Sequence, residues 1–161
     1  MKHEDRGEIV ANMHLYGFAV DSLRWDLFDK IFVQEGLHVQ HGAVGVTPPW
    51  TDIEQYKRDF DVFHRKLRSS RHSISNVIAD AQGDVALSIS YGQYRLIHAD
   101  GESWQGEGWY EDEWTRTAQG WRIRRRQARV SWTAGDMKGR SPPAAPSTLH
   151  NIDLAQTILR S

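Results

Sequence analysis

His72 stands in the segment Arg71-His72-Ser73-Ile74-Ser75-Asn76, where the chain leaves the polar pair Ser69-Ser70 and takes up a strand-like pattern. Far upstream, Asp21 closes an amphipathic helical stretch. The two residue types make a dyad. A neutral imidazole is the side chain best matched to removing a proton near neutral pH, and a carboxylate on its other ring nitrogen fixes the tautomer and stabilises the cation that forms. Asp21 has a competing assignment, because it also stands just before a second helical stretch and its carboxylate can accept the backbone N–H of Leu23 or Arg24 as an N-cap. By the period-2 rule His72, Ile74 and Asn76 share one strand face. With Ile74 inward, all three line the same interior, and a buried histidine and asparagine must find hydrogen-bond partners there.

The elements that would carry these residues follow from hydrophobic spacing. Ile9, Met13, Tyr16 and Val20 recur at helical intervals and predict a first helix over Glu4 to Val20. Leu23, Leu27 and Ile31, widened by Trp25, Phe28 and Phe32, predict a second short helix over Ser22 to Phe32, stopped by Gly36. Leu37 to Val44 reads as a strand, and Gly45 to Trp50 as a turn or loop around Pro48-Pro49. Thr51 or Asp52 can cap a third helix, whose buried stripe is Ile53, Tyr56, Phe60, Phe63 and Leu67.

Beyond Ser70 the pattern turns to β. Four strands are expected, about His72 to Ala79, Val85 to His98, Ser103 to Thr117 and Trp121 to Thr133, separated by Gly-containing turns. Such short connections make consecutive strands antiparallel neighbours, so the chain is α+β, with the helices on one face of a meander that is twisted enough to leave a pocket. On the second of these strands, Ser88, Ser90, Gly92, Tyr94 and Leu96 form one face and Leu87, Ile89, Tyr91 and Arg95 the other; the sequence leaves open which is inward. Residues 1–133 read as one domain, followed over 134–161 by a Pro-rich linker and a short C-terminal helix or tail carrying Ile152, Ala155, Ile158 and Leu159.

Composition narrows the partners. The 161 residues suit one domain, and 20 basic against 21 acidic side chains give a net charge of −1, which favours neither nucleic acid nor an anionic membrane. There is no cysteine, so disulfides, thiolate metal sites and a cysteine nucleophile are excluded, in keeping with a cytoplasmic location. Neither a signal-peptide pattern nor an apolar run of membrane-spanning length is present. Arg122, Arg124, Arg125, Arg126 and Arg129 fall on both faces of one strand, so they pair with Glu107, Glu111 and Asp112 of the neighbouring strand in preference to tracking phosphates. His38 and His41, three apart on a strand, point to opposite faces and make no metal pair. No nucleotide fingerprint, phosphate loop or nucleophile elbow is found, and no cofactor is expected.

Four segments in this order, Leu15-Tyr16-Gly17-Phe18-Ala19-Val20-Asp21, Arg71-His72-Ser73-Ile74-Ser75-Asn76, Gly108-Trp109-Tyr110-Glu111-Asp112-Glu113-Trp114 and Gly120-Trp121-Arg122-Ile123, resemble the SnoaL-like branch of the nuclear transport factor 2-like superfamily. The resemblance covers about Glu4 to Trp132. It implies a cone-shaped, curved, mostly antiparallel sheet wrapped around three N-terminal helices. Enzymes of the scytalone dehydratase, bile-acid dehydratase and hexachlorocyclohexane dehydrochlorinase type use an Asp–His pair as a base, and their positions fall on Asp21 and His72. Their tyrosine falls on Tyr16. The second acid or histidine of the dehydratases falls near Tyr94, and the pocket arginine of the dehydrochlorinase near Arg126.

The expected activity is therefore that of a cofactor-independent lyase or isomerase acting on a small apolar cyclic or aromatic molecule. His72, Asp21 and Tyr16 would be catalytic; Asn76, Tyr94, Arg126 and a stacking Trp109 would bind substrate. Tyr94 in place of an acid argues against a dehydration that needs a protonated leaving group. Two alternatives share the fold: a non-catalytic ligand-binding protein or small subunit like that of aromatic-ring dioxygenases, and a polyketide-cyclase-like or hydrolytic enzyme. Aromatic side chains on the sheet lead us to expect a homodimer or homotrimer.

Overall fold

The computed structural model describes residues 1–41 and 48–136. Helix α1 spans His3–Asp21, a 3₁₀ turn covers Trp25–Leu27, and the short helix α2 covers Phe28–Ile31. Strand β1 (His38–His41) and helix α3 (Ile53–His64) follow. The long strands are β2 (Leu67–Gln82), β3 (Val85–His98), β4 (Ser103–Thr117) and β5 (Gly120–Gly135). They form one five-stranded sheet in the order β1-β5-β4-β3-β2, antiparallel except where β1 runs parallel to β5. This is the α+β fold expected of the nuclear transport factor 2-like superfamily.

Local chemistry explains most boundaries. The α1 stripe predicted from spacing is buried at Ile9, Met13, Tyr16 and Val20. Asp52 is the cap of α3, its carboxylate accepting the Gln55 N–H at 2.7 Å. The β2–β3 hairpin closes through Gly83-Asp84, and Gly83 at φ 63° supplies the left-handed backbone that a two-residue turn needs. Helix α1 is anchored at both ends. Its first half holds the start of β5, with Asn12 donating to the Trp121 carbonyl at 3.0 Å and Glu8 accepting the Trp121 N–H at 2.9 Å.

Three expectations shift. The second helix condenses to a 3₁₀ turn and one turn of α-helix, because Leu23 takes a left-handed φ of 55° and breaks the run. Leu67 leaves the α3 stripe to open β2, which starts earlier than predicted, and His64 takes its place as the last buried residue of the helix. The inward face of β3 is that of Ser88, Ser90, Gly92 and Leu96, all buried; on the other face Tyr91, Gln93 and Arg95 are exposed, although Ile89 is buried. The distal part of the predicted Leu37–Val44 strand and the predicted C-terminal helix lie outside the described residues. No described helix is long and apolar enough to cross a membrane.

Candidate active site

Gly17 lies one turn before the end of α1, and a Cβ there would sit 3.2 Å from the His72 carbonyl oxygen and 3.7 Å from the His72 Cβ. The missing side chain lets the helix lie directly on β2, so that Asp21 reaches His72. Asp21 Oδ1 accepts His72 Nδ1–H at 2.7 Å and the Ser70 hydroxyl at 3.1 Å, while Oδ2 accepts the His72 backbone N–H at 2.7 Å. The carboxylate thus grips both the imidazole and the strand that carries it. The capping assignment fails, because the Leu23 and Arg24 N–H groups bond instead to the carbonyls of Val20 and Ala19. Partial burial alone would raise the Asp21 pKa. The hydrogen bonds from His72 and Ser70 outweigh it and hold the carboxyl below its ordinary value, so it stays ionised.

With the Nδ1 proton committed to Asp21, the lone pair of neutral His72 is on Nε2. The ring borders a cavity of about 350 Å³, within the range of small-ligand sites. Its apolar wall comprises Trp50, Phe60, Phe63, Leu96, Trp104 and Val130. Glycines make room for its aromatic wall: a Cβ on Gly92, which borders the cavity, would collide with the Tyr110 ring, and one on Gly106 with the hydroxyl of Tyr94 and the Trp132 carbonyl. Aromatic rings from neighbouring strands occupy the space these glycines leave.

Tyr16 and His41 give the cavity wall a polar stretch, with the buried Tyr56 behind them. Tyr56 and His41 Nε2 are 3.0 Å apart, and the Tyr16 and Tyr56 hydroxyls 3.5 Å, a loose contact. Burial, aided by the charge of Arg126, pushes the His41 pKa down to about 3, so the ring is neutral and accepts from Tyr56 or donates to it according to its tautomer. Burial also raises the Tyr16 pKa, against the opposing charge of Arg126, and keeps the phenol protonated.

The remaining predicted residues separate. Tyr94 is in the cavity wall, its ring 6.2 Å from that of His72 and its buried hydroxyl without a hydrogen-bond partner among the described residues. Trp109 also borders the cavity, with its indole N–H held by Glu111 at 2.9 Å. Arg126 does not border it. Fully buried, it forms a two-pronged pair with Asp112 at 2.7 and 2.8 Å and packs its guanidinium over the Tyr16 ring at 4.2 Å. It backs the tyrosine instead of meeting a ligand. Asn76 is corrected outright: it is exposed at φ 51° in a register break between Ser75 and Ile78, and the bulge ends the alternation that had placed it beside His72. The expected pairing of the basic strand holds in part, with Arg126 on Asp112, Arg129 on Glu111 and Arg124 on Glu113.

The sequence alone does not single out His41, Tyr56 or His64. Strand alternation separates His41 from His38 as a metal pair, yet His41 is buried and borders the cavity. Tyr56 belongs to the α3 packing stripe and also meets His41 at 3.0 Å. His64 follows Phe60 by one helical turn, a spacing that would have revealed it; its Nδ1 donates to the Phe60 carbonyl at 2.9 Å, and its ring lies 6.0 Å from His72. Among the described residues no group of three or more His, Cys, Asp or Glu is arranged to hold a metal ion.

Comparison with known proteins places the fold and the family. An uncharacterised protein of Mycobacterium tuberculosis is 27% identical over 134 residues, covering 76% of this chain and 82% of its own length. A scytalone dehydratase-like protein of Novosphingobium aromaticivorans superposes with a TM-score of 0.73 at 18% identity, covering 87% of this chain and 93% of that one. Hexachlorocyclohexane dehydrochlorinase LinA-type3 of Novosphingobium barchaimii gives 0.67 at 12% identity, with 88% and 94% covered. The β subunit of an aromatic-ring-hydroxylating dioxygenase from N. aromaticivorans gives 0.64 at 16% identity, with 85% and 95% covered. At such identities the superpositions establish the fold alone. The SnoaL-like domain model matches residues 1–127, and the chain therefore belongs to the SnoaL-like family, within the nuclear transport factor 2-like fold.

Proposed function

We propose that this protein is a cofactor-independent lyase or isomerase that takes a proton from carbon in a small, largely apolar, cyclic or aromatic substrate. The observation that carries this reading is the clamp of Asp21 on His72 Nδ1 at 2.7 Å, at the edge of a cavity walled by aromatic rings. His72 Nε2 accepts the C–H proton, and the electron pair left on carbon forms a double bond or an enolate. Asp21 stabilises the imidazolium. Tyr16 donates a hydrogen bond to the oxygen on which charge develops. In elimination the leaving group departs with its bonding pair; in isomerisation His72 returns the proton to a different carbon. Leaving groups that depart as anions fit best, because the wall residue facing His72 from β3 is a tyrosine and not an acid.

The test is a screen of cyclic and aromatic C–H acids followed by His72→Ala. The rate on the substrate found should fall at least ~10²-fold, the lower end for losing a general base. An unchanged rate refutes the assignment. The subunit reading, which the dioxygenase β subunit's shared fold keeps in view, requires co-purification with a larger iron-containing chain.

A further inference from the structure

A second concavity, of about 270 Å³, lies beside the first and shares Tyr94 with it. It is built on the solvent side of the sheet from two rows of side chains that the strand register aligns. One row runs Arg71, Arg95 and Gln105 across β2, β3 and β4; the other runs Ser73, Gln93, Glu107 and Trp132 across β2 to β5. Arg71 and Arg95 are directly opposed, an arrangement that costs stability unless something neutralises it. Neither guanidinium makes a hydrogen bond or ion pair among the described residues, whereas Arg116, Arg126 and Arg129 each hold a carboxylate. Glu107 is the one acid in the groove, and it accepts from Gln93 at 3.4 Å.

The groove is therefore a donor-rich floor with two guanidiniums and one carboxylate, a net single positive charge, beside an indole that is 50% exposed. We infer that it binds an aromatic carboxylate, the carboxylate held by the Arg71 and Arg95 guanidiniums and the ring laid against Trp132. Planar guanidinium forks match a carboxylate edge to edge, and an exposed indole face offers stacking to a ring. The single net charge matches a monoanion better than a phosphate dianion. This site adjoins the His72 cavity at Tyr94 but is built from other side chains, and it does not depend on the reaction proposed there.

The experiment is amide NMR on the full chain with 1-naphthoate, the neutral 1-naphthalenemethanol and inorganic phosphate as probes, on wild type and on Arg71→Gln/Arg95→Gln. Naphthoate should give saturable shifts centred on Ser73, Gln93 and Gln105, with at least tenfold tighter binding than the alcohol or phosphate. The double variant should lose at least tenfold in affinity while its melting temperature holds or rises, since a like-charge contact has gone. The affinity should also fall as salt is raised. Shifts confined to His41, Tyr56 and Leu96, equal binding of the neutral probe, or tighter binding of phosphate would overturn the inference. So would a wild-type oligomer that the double variant dissociates, since the arginines would then face another copy of the chain.

Discussion

Replacing Asp21 tests the dyad without knowledge of the substrate. Its carboxylate accepts three hydrogen bonds, and its side chain is 20% exposed. In Asp21→Ala, Ser70 and the His72 ring can turn toward water, but the His72 backbone N–H cannot. Orphaning a donor costs about 1–3 kcal/mol, and the two mobile donors add less, so a loss of about 3 kcal/mol is expected. For a chain of this size that lowers the melting temperature by roughly 6–12 °C. Asp21→Asn should be milder in stability and more informative in chemistry. Its single oxygen must serve the immobile backbone N–H, which turns the amide NH₂ toward His72 Nδ1. That nitrogen then becomes the acceptor, and the ring proton moves to Nε2, the atom needed as the base. Long-range ¹H–¹⁵N correlation spectra at alkaline pH should show a protonated Nδ1 in the wild type and a protonated Nε2 in Asp21→Asn. Activity should drop by ~10²–10⁴, the range for general base catalysis. The same tautomer in both proteins, or an Asp21→Ala variant melting with the wild type, would refute the reasoning.

Other perturbations follow from the same geometry. His41 is neutral in the fold, with its pKa down at about 3, while in the unfolded chain it titrates near the ordinary ~6.5. The unfolded state therefore takes the proton first, and stability falls as pH drops below ~6.5 toward 3, by at most ~1.4 kcal/mol per pH unit from this group. Urea midpoints at pH 7 and 5 should differ less in His41→Gln than in wild type; equal differences would contradict the assignment. Gly17→Val should part α1 from β2, weakening the Asp21–His72 contact and lowering both melting temperature and activity, because even a Cβ would stand 3.2 Å from the His72 carbonyl. Arg126→Met should cost about 3–5 kcal/mol by leaving Asp112 buried and unpaired, and Arg126→Met/Asp112→Leu should recover much of it in denaturant titrations.

Helix and strand order were legible because they depend on period: the α1 stripe, the Asp52 cap and the four long strands all rest on local spacing. The Asp–His pair was legible through its motifs, but its geometry was not, since Asp21 reads equally well as a cap until β2 brings the His72 N–H to it. Periodicity misled at Asn76, where a bulge that no local signal announces ends the alternation. It also hid His41 and Tyr56, whose roles depend on a strand and a helix meeting across the cavity. Away from the β2 bulge, the sequence by itself determined which residues share a face of an element, because those faces are set by bond geometry within a few neighbouring residues. Only the tertiary structure decided which faces meet, setting Arg126 behind Tyr16 and His72 at the cavity edge, because those contacts arise from packing between elements remote in the chain.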